Sequence, residues 1–305
     1  MDFELKILGS SSATPSVDRY HTAQILTIGS QINLIDCGEG TQMQLMRYKV
    51  KHQRICNIFI SHLHGDHFFG LFGLLSTMHL QNRTSPLTIY GPPGLAELIT
   101  LQAKSSNTFY SFPLLFQDLD TTVYRQIFED KYITVHTLPM QHRVPCCGFL
   151  FREKPKLRHL VKTKLPDFLT PPQLISLKNG KDVLDEAGNI LVRNADVTTD
   201  PKHSRSYAYC SDTRYKEDII PYVKGVDLLY HEATFLDDMR ERAEYTCHST
   251  ARQAATFALK AQAKRLLIGH FSVRYKDLTP LLLEAKAVFD NTHLAIEGKT
   301  VGVLE

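Results

Sequence analysis

Apolar residues alternate with polar ones, or form short continuous blocks, through the first half of the chain, and both patterns predict β-strands. The strand segments are FELKILG, TAQILTIG, INLIDCG, NIFIS, LTIYGP, KYITVHTLP and CGFLF. Between them, apolar residues at helical spacing predict helices in EGTQMQLMRY, in residues 68–81 and in GLAELITLQAKS. The first half therefore alternates strands with helices.

The second half repeats this alternation. It predicts strands in SYAYCSD, VDLLYHEA, RLLIGHFS, THLAIEG and KTVGV, and helices in EDIIPYVK, STARQAATFALKAQ and LTPLLLEAKAVF. The second of these helices is expected to begin at a serine cap, Ser249. Mixed strands alternating with helices indicate an α/β fold of layered sheets covered by helices.

Residues 152–196 break the alternation, because proline, glycine and charge dominate there and the apolar periodicity is weak. We interpret this stretch as an excursion from one core, not as a second domain. Residues 152–164 hold six Lys or Arg against one glutamate. That run indicates either a solvated charged face or an electrostatic contact for phosphates.

Composition narrows the class of protein only a little. The formal net charge of +3 is mildly basic and excludes neither nucleic acid nor a small substrate. The six cysteines show no CxxC spacing, which favours reduced packing residues, although Cys146 and Cys147 are also candidates for contacting a metal. Because we find neither a signal peptide nor an apolar run of about 18 residues, we expect a cytoplasmic protein without a membrane span.

The strongest chemical signal is HLHGDH, residues 62–67, which follows the predicted strand NIFIS. Side chains alternate in an extended turn, so His62 and His64 are expected to point to one side. Gly65 permits a tight turn that returns Asp66 and His67 to the same centre. Imidazole and carboxylate groups are suitable ligands for zinc and related metals. The pattern therefore predicts a metal site.

HLHGDH resembles the HxHxDH signature of the metallo-β-lactamase fold. The resemblance implies an αββα sandwich of two mixed sheets, with further ligands at the ends of later strands. Three residues each follow a predicted strand and are ambiguous alone: His142, Asp212 and His270. By resemblance, His62, His64 and His142 hold one metal, Asp66, His67 and His270 hold the other, and Asp212 bridges them. Two zinc ions per subunit fit this ligand set, and manganese or iron can occupy similar sites.

Three further segments narrow the resemblance: HEAT at residues 231–234, HST at 248–250 and HFSVRY at 270–275. With HLHGDH and the opening LGSSSATP they are similar to ribonuclease Z, the tRNA 3′-processing endonucleases, over nearly the whole chain. The resemblance implies hydrolysis of precursor tRNA near the discriminator base, leaving a 3′-hydroxyl on the tRNA and a 5′-phosphate on the trailer. It also implies one domain over residues 1–305 with a tRNA-binding arm at about 152–196, a homodimer, and no nucleotide cofactor.

Roles for individual residues follow from the same resemblance. Asp66 manages the proton of the attacking water, His248 is the general acid, and Glu232 orients its ring and favours the charged form. Helix-terminal packing and capping is the alternative for His248 and Glu232. Substrate phosphate contacts are expected from Arg274, whose planar fork can bind two oxygens, and from Ser272 and Arg19. A surface salt bridge is the alternative for Arg274.

Two segments depart from the family pattern. The arm carries LTPPQLI, which keeps prolines but lacks the family's glycines, and the amino-terminal loop PSVDRY lacks the lysine and asparagine of PxKxRN. In that loop, Tyr20 can stack on a base or pack in the core. These departures keep two rivals open: a small-molecule phosphodiesterase or arylsulfatase-like hydrolase with the same metals, and a noncatalytic RNA-binding subunit.

Overall fold

The computed structural model describes residues 2–304 and contains two seven-stranded sheets. Strands and helices are numbered in chain order. The first sheet has the order β18-β1-β2-β3-β4-β5-β6 and is antiparallel up to β3 and parallel from there. Its strands are β1 Phe3–Gly9, β2 Ala23–Ile28, β3 Gln31–Cys37, β4 Ile55–Phe59, β5 Leu87–Gly91, β6 Leu114–Asp118 and β18 Thr300–Gly302.

The second sheet has the order β17-β16-β15-β14-β9-β8-β7. Its four strands from β17 to β14 pair in parallel, whereas β14 pairs antiparallel with β9, and β8 pairs antiparallel with β7. Its strands are β7 Gln126–Glu129, β8 Ile133–Pro139, β9 Cys147–Glu153, β14 Ser206–Cys210, β15 Leu228–Glu232, β16 Leu266–Gly269 and β17 Thr292–Leu294. Both sheets are mixed, as the sequence predicts.

Aromatic side chains fill the space between the two sheets. The ring of Phe59 on β4 lies 5.4 Å from that of Phe149 and 5.3 Å from that of Phe151, both on β9, measured between centroids. The hydroxyl of Tyr209 on β14 donates to the carboxylate of Asp36 on β3 over 2.6 Å. The hydroxyl of Tyr207 on β14 likewise donates to the side-chain oxygen of Gln24 on β2. The two inner faces therefore pack on each other through rings and buried hydrogen bonds.

Helices cover the outer faces of the sandwich. The helices of the sandwich are α1 Thr41–Arg47, α2 Gly65–Phe68, α3 Gly70–Leu80, α4 Leu95–Ser105, α7 Ile220–Val223, α8 Arg240–Thr246, α9 Ala251–Lys260 and α10 Thr279–Lys286. The other two helices, α5 Pro171–Lys178 and α6 Asn194–Val197, lie within residues 153–204. One apolar cluster joins α3 and α4 to the first sheet, and another joins α9 and α10 to the second sheet. The predicted α/β sandwich of two mixed sheets is confirmed.

The structure corrects several local predictions. Helix α9 is capped by Thr250, not by Ser249: Thr250 Oγ1 accepts from the backbone N–H of Gln253, and the Gln253 side chain closes a capping box. The strands β6 and β7 and the helix α8 were not predicted. The residues of β6 and β7 are largely partly buried or exposed, so their apolar pattern is weak.

Residues 131–133 and 153–204 form a second compact unit. Its small core contains Leu177, Val183, Val192 and Val197. Helix α5 begins at two prolines, which suit a first helical turn because its N–H groups have no intrahelical acceptor. The excursion expected at residues 152–196 lies in this unit from residue 153 onward. The unit contains α5, α6 and the short strands β10 His159–Leu160, β11 Val183–Leu184, β12 Ile190–Val192 and β13 Thr198–Thr199.

Ion pairs use part of the basic run in this second unit. Lys156 pairs with Glu153 over 2.7 Å, and Arg158 pairs with Asp200. Lys162 and Lys164 lie in a short 3-10 turn, and neither forms an ion pair with any residue in 2–304. The run is therefore partly neutralised within its own unit.

Five of the six cysteines are buried, Cys56 is exposed, and all six are free thiols. Within residues 2–304 we find no helix with the length and apolar character needed to cross a bilayer.

Candidate metal centre

The HLHGDH segment occupies the turn between β4 and α2. Strand β4 is buried except at Cys56, and His62 and His67 are fully buried beyond it. The turn closes where the backbone N–H of His67 donates to the carbonyl of His64 over 2.9 Å. Gly65 does not adopt a left-handed backbone, and a Cβ there would lie 2.3 Å from the Phe69 ring, so a larger residue would require that exposed ring to move. The turn thus brings four polar side chains to one end of the strand.

The first group of potential metal ligands consists of His62, His64, His142 and Asp212, whose ligand atoms lie within 4.8 Å of one another. The Nδ1 of His64 is 3.1 Å from the Nε2 of His62 and 3.1 Å from the Nε2 of His142. Asp212 Oδ2 lies 3.6 Å from the His62 nitrogen and 3.8 Å from the His142 nitrogen.

The second group consists of Asp66, His67, Asp212 and His270, all buried. Asp66 Oδ2 lies 3.3 Å from the Nε2 of His67 and 3.4 Å from the Nε2 of His270. Asp212 Oδ1 lies 3.4 Å and 3.2 Å from the same two nitrogens. Asp212 therefore directs Oδ1 to this group and Oδ2 to the first.

These donor sets fit divalent metal ions. Metal–nitrogen bonds of about 2.0–2.1 Å in a tetrahedral site place neighbouring ligand atoms about 3.3 Å apart, which is the spacing found in both groups. Among residues 2–304, the buried Nε2 of His67 has no hydrogen-bond partner. Burial disfavours ionised Asp66, yet His67 and a hydrogen bond from His270 hold the pKa of that carboxyl below its usual range. The two groups therefore place carboxylate oxygens and imidazole nitrogens at the spacing that metal ligands need.

Further side chains hold the histidine rings in place. The carboxylate of Asp36 lies 2.7 Å from the Nδ1 of His67 and also accepts from the backbone N–H of Ser61 over 2.7 Å. Thr234 Oγ1 lies 3.0 Å from the Nδ1 of His270. Each contact engages the ring nitrogen that faces away from the ligand group, as metal-binding histidines require. Sequence reasoning missed these residues, although an aspartate inside the apolar run INLIDCG was a signal for Asp36.

The Nδ1 of His142 is held by a backbone carbonyl, that of Cys247, over 3.1 Å. Cys247 ends α8 in a left-handed conformation with φ 61°. Cys146 and Cys147 take no part in either ligand group; Cys146 lies in the apolar cluster under the second sheet.

His248 lies beside both ligand groups, with its ring centroid 5.3 Å from those of His142 and His270. Its Nδ1 is 3.0 Å from Oε1 of the fully buried Glu232. Burial disfavours the charged imidazolium, but the Glu232 carboxylate outweighs it and raises the pKa of His248 to about 9. Neither residue caps α9, because Thr250 does. The pair can therefore hold a proton beside the metal ligands.

A cleft of about 520 Å³ opens above the ligand groups, and its lining includes His64, Asp66, His142, Asp212 and His248. The three expected phosphate contacts do not line it. Arg19 donates to the carbonyls of Ser272 and Tyr275 over 3.3 and 3.0 Å. Arg274 is exposed, and within residues 2–304 its guanidinium forms no ion pair. The one arginine in the cleft lining is Arg143.

Tyr20 packs against the loop that precedes α1. A Cβ at Gly40 would lie 2.4 Å from the Tyr20 ring, and Arg47 lies 5.4 Å from the ring centroid. The Tyr20 ring therefore makes packing contacts within this chain.

The family model described as Anti-Pycsar protein Apyc1 matches residues 3–158, a span that ends before Asp212, Glu232, His248 and His270. Curated relatives match almost the whole chain. Ribonuclease Z of Cytophaga hutchinsonii is 53% identical, covering 98% of this chain and 96% of its own, and ribonuclease Z of Bacteroides fragilis is 44% identical, covering 99% of each.

Among solved structures, human tRNase Z, short form, matches with a TM-score of 0.72 and 28% identity over 99% of this chain and 100% of its own. The matched span therefore includes the HEAT, HST and HFSVRY segments together with both ligand groups. Because two ribonuclease Z proteins are 53% and 44% identical to it over nearly the full length, the chain belongs to the ribonuclease Z family.

Proposed function

We propose that this protein is a metal-dependent endoribonuclease that removes the 3′ trailer of precursor tRNA by hydrolysis near the discriminator base. The observation that carries the proposal is the position of Asp212, whose two oxygens face two separate groups of ligands beside the His248–Glu232 pair. Membership of the ribonuclease Z family supports tRNA as the substrate.

Seven residues would hold two divalent cations, zinc by the donor set, with manganese or iron as alternatives. They are His62, His64, Asp66, His67, His142, Asp212 and His270. When bound, such cations lower the pKa of water and neutralise charge on a phosphoryl oxygen. The protein itself fixes where the phosphate must lie, because the ligand atoms converge from buried positions beneath one cleft.

His248 would donate the proton that the leaving group needs. Cutting after the discriminator nucleotide expels the 3′-oxygen of its ribose, a poor leaving group unless it is protonated. Glu232 fixes the donor ring and keeps it charged, since its carboxylate accepts from Nδ1 and leaves Nε2 for the substrate. The products are a tRNA with a 3′-hydroxyl and a trailer with a 5′-phosphate.

Asp66 would manage the proton of the attacking water. It lines the cleft, and its Oδ2 faces His67 and His270. The low pKa of its carboxyl keeps it ionised near neutral pH, which suits a hydrogen-bond acceptor for that water.

We also propose that residues 152–196, within the second compact unit, serve as an arm for the body of the tRNA. Lys162 and Lys164 are exposed there and suit electrostatic contacts with phosphates. A homodimer in the cytoplasm, as in the family pattern, completes the proposal.

The proposal is tested by following an end-labelled precursor tRNA and bis(p-nitrophenyl) phosphate in parallel reactions with wild type and Asp212→Ala. We expect one metal-dependent cut beside the discriminator base, lost in Asp212→Ala. Hydrolysis of the small diester with an intact precursor would instead favour a small-molecule phosphodiesterase. No hydrolysis of either, in protein loaded with metal, would favour a noncatalytic RNA-binding subunit.

A further inference from the structure

The lining of the cleft above the ligand groups contains one side chain that is positively charged at every physiological pH, and the substrate is a polyanion. Among the residues that line this cleft, all of them within residues 2–304, Arg143 is the single Lys or Arg, and Glu39 is also present. An RNA strand brings one negative charge per nucleotide, so binding it here depends strongly on where that cation lies.

The Arg143 guanidinium is held in place from one side. Its Nη2 donates to the carbonyl of Tyr245 over 2.9 Å, and its Cζ lies 5.3 Å from the centroid of the Tyr245 ring. The Tyr245 side chain is itself 70% exposed, which is unusual for a ring of this size. A guanidinium carries five N–H donors, so this anchoring leaves donors free on the side away from Tyr245.

The segment that holds Arg143, at the end of α8, also positions the reactive groups. Within residues 245–248, the carbonyl of Cys247 accepts from the Nδ1 of His142, the neighbour of Arg143, and His248 carries the proton beside Glu232. One short segment therefore fixes the arginine, a metal ligand and the proton donor relative to one another. Because these groups are already ordered, little conformational entropy is lost when substrate binds.

We infer that Arg143 binds a non-bridging oxygen of a phosphate next to the scissile one, with Tyr245 as the residue that positions it. This inference rests on the proposed function. The scissile phosphate must meet the buried ligand groups at the floor of the cleft, where bound cations would neutralise it. Arg143 is exposed at the rim, so it meets the strand where that strand leaves the floor.

The test compares Arg143→Gln and Arg143→Lys with Arg242→Gln as the matched control. Arg242 also lies over the Tyr245 ring, at 5.9 Å, but does not line the cleft. With precursor tRNA we expect Arg143→Gln to raise KM roughly 10- to 100-fold with a smaller change in kcat, as for loss of a charged hydrogen bond. Hydrolysis of bis(p-nitrophenyl) phosphate, which has no neighbouring phosphate, should stay within about twofold. Arg143→Lys should recover part of the loss, and Arg242→Gln should match wild type.

A precursor with a neutral methylphosphonate at one flanking phosphate locates the contact. We expect one position, upstream or downstream of the cut, at which the substitution weakens wild type but no longer weakens Arg143→Gln. The inference would be overturned if Arg143→Gln slowed hydrolysis of the small diester as much as cleavage of the precursor, or left KM for the precursor unchanged. It would also be overturned if the effects of Arg143→Gln and of the methylphosphonate were fully additive at every flanking position. If wild type cuts the precursor normally, those outcomes reject only the role of Arg143. If wild type does not cut it, the proposed function fails first.

Discussion

The Nδ1 of His248 lies 3.0 Å from a carboxylate oxygen of Glu232, a residue with no solvent exposure. Glu232 cannot move away from it easily, because the backbone N–H groups of Thr213, Ser249 and Thr234 also donate to its two oxygens. A carboxylate with this many donors stays ionised and keeps the adjacent ring oriented. The His248–Glu232 contact is the basis of the first two predictions.

Replacing the proton donor should slow chemistry without emptying the metal site. In His248→Ala we expect kcat for precursor tRNA to fall about 10²- to 10⁴-fold. Hydrolysis of bis(p-nitrophenyl) phosphate should fall much less, because p-nitrophenolate leaves without a proton. Single-turnover rates and metal analysis check both statements. Equal losses on the two substrates would contradict a role as general acid.

Glu232→Gln should change the pH dependence of the reaction. The carboxylate raises the pKa of His248 to about 9, so its loss lowers that pKa and depletes the acid form at lower pH. The alkaline limb of the kcat profile should therefore move to lower pH than in wild type. A limb that stays in place would show that another group sets it.

Asp212→Ala should disturb both metals at once, since Oδ2 faces His62 and Oδ1 faces His270. We expect metal content to fall from two to less than one per chain, with loss of cleavage. Asp218→Ala is the matched control, because Asp218 is exposed and pairs only with Lys216 over 3.4 Å. Elemental analysis after dialysis measures the metal content of each variant. Retention of both metals in Asp212→Ala would argue against a bridging role.

Asp36→Asn should weaken metal binding through the ring of His67. The Asp36 carboxylate lies 2.7 Å from the His67 Nδ1, and loss of such a partner lowers metal affinity about 10- to 100-fold. Tyr209→Phe, which removes one donor to Asp36 and leaves its charge, should have a smaller effect. Chelator competition gives the affinities, and circular dichroism checks that both variants fold. Equal metal affinities in wild type and Asp36→Asn would show that Asp36 does not contribute to metal binding.

Glu297 should make the stability of the fold depend on pH. Burial raises the pKa of its carboxyl to about 7, although it accepts from the backbone N–H of Tyr20 over 2.7 Å. The folded state therefore prefers the protonated form, and the stability that this gives is lost as pH rises from about 4.5 through about 7. Relative to Glu297→Gln, wild type should lose about 2 kcal/mol of unfolding free energy between pH 4.5 and 8, after allowance for solvent screening.

Urea unfolding of both proteins across that range measures the difference. Parallel curves for wild type and Glu297→Gln would show that Glu297 does not titrate between these limits.

Much of the sandwich could be predicted because its signals are local. Strand β4, the HLHGDH turn and α3 follow one another within a single stretch, so apolar period and residue type are sufficient there. The same reasoning did not predict α5, which lies in the proline- and charge-rich stretch interpreted as an excursion, although two prolines form its first turn. It also failed at β6 and β7, whose half-exposed residues carry little apolar pattern.

The supporting contacts of the site could not be predicted, because they join distant segments. Asp36 and His67 are 31 residues apart, and Arg143 and Tyr245 are 102 apart. No spacing in the sequence encodes such a pair; only the packing of β3 beside β4, or of α8 against the loop at His142, creates it. For the same reason the sequence favoured Arg274 as a phosphate contact, whereas the cleft lining contains Arg143.

The most direct test of the proposed reaction is cleavage of a precursor tRNA in water enriched in oxygen-18, followed by mass spectrometry of both new ends. We expect a single cut after the discriminator nucleotide, a 3′-hydroxyl on the tRNA, and one solvent oxygen in the 5′-phosphate of the trailer. A 2′,3′-cyclic phosphate on the tRNA, solvent oxygen at that end, or a precursor left intact by metal-loaded protein would contradict it.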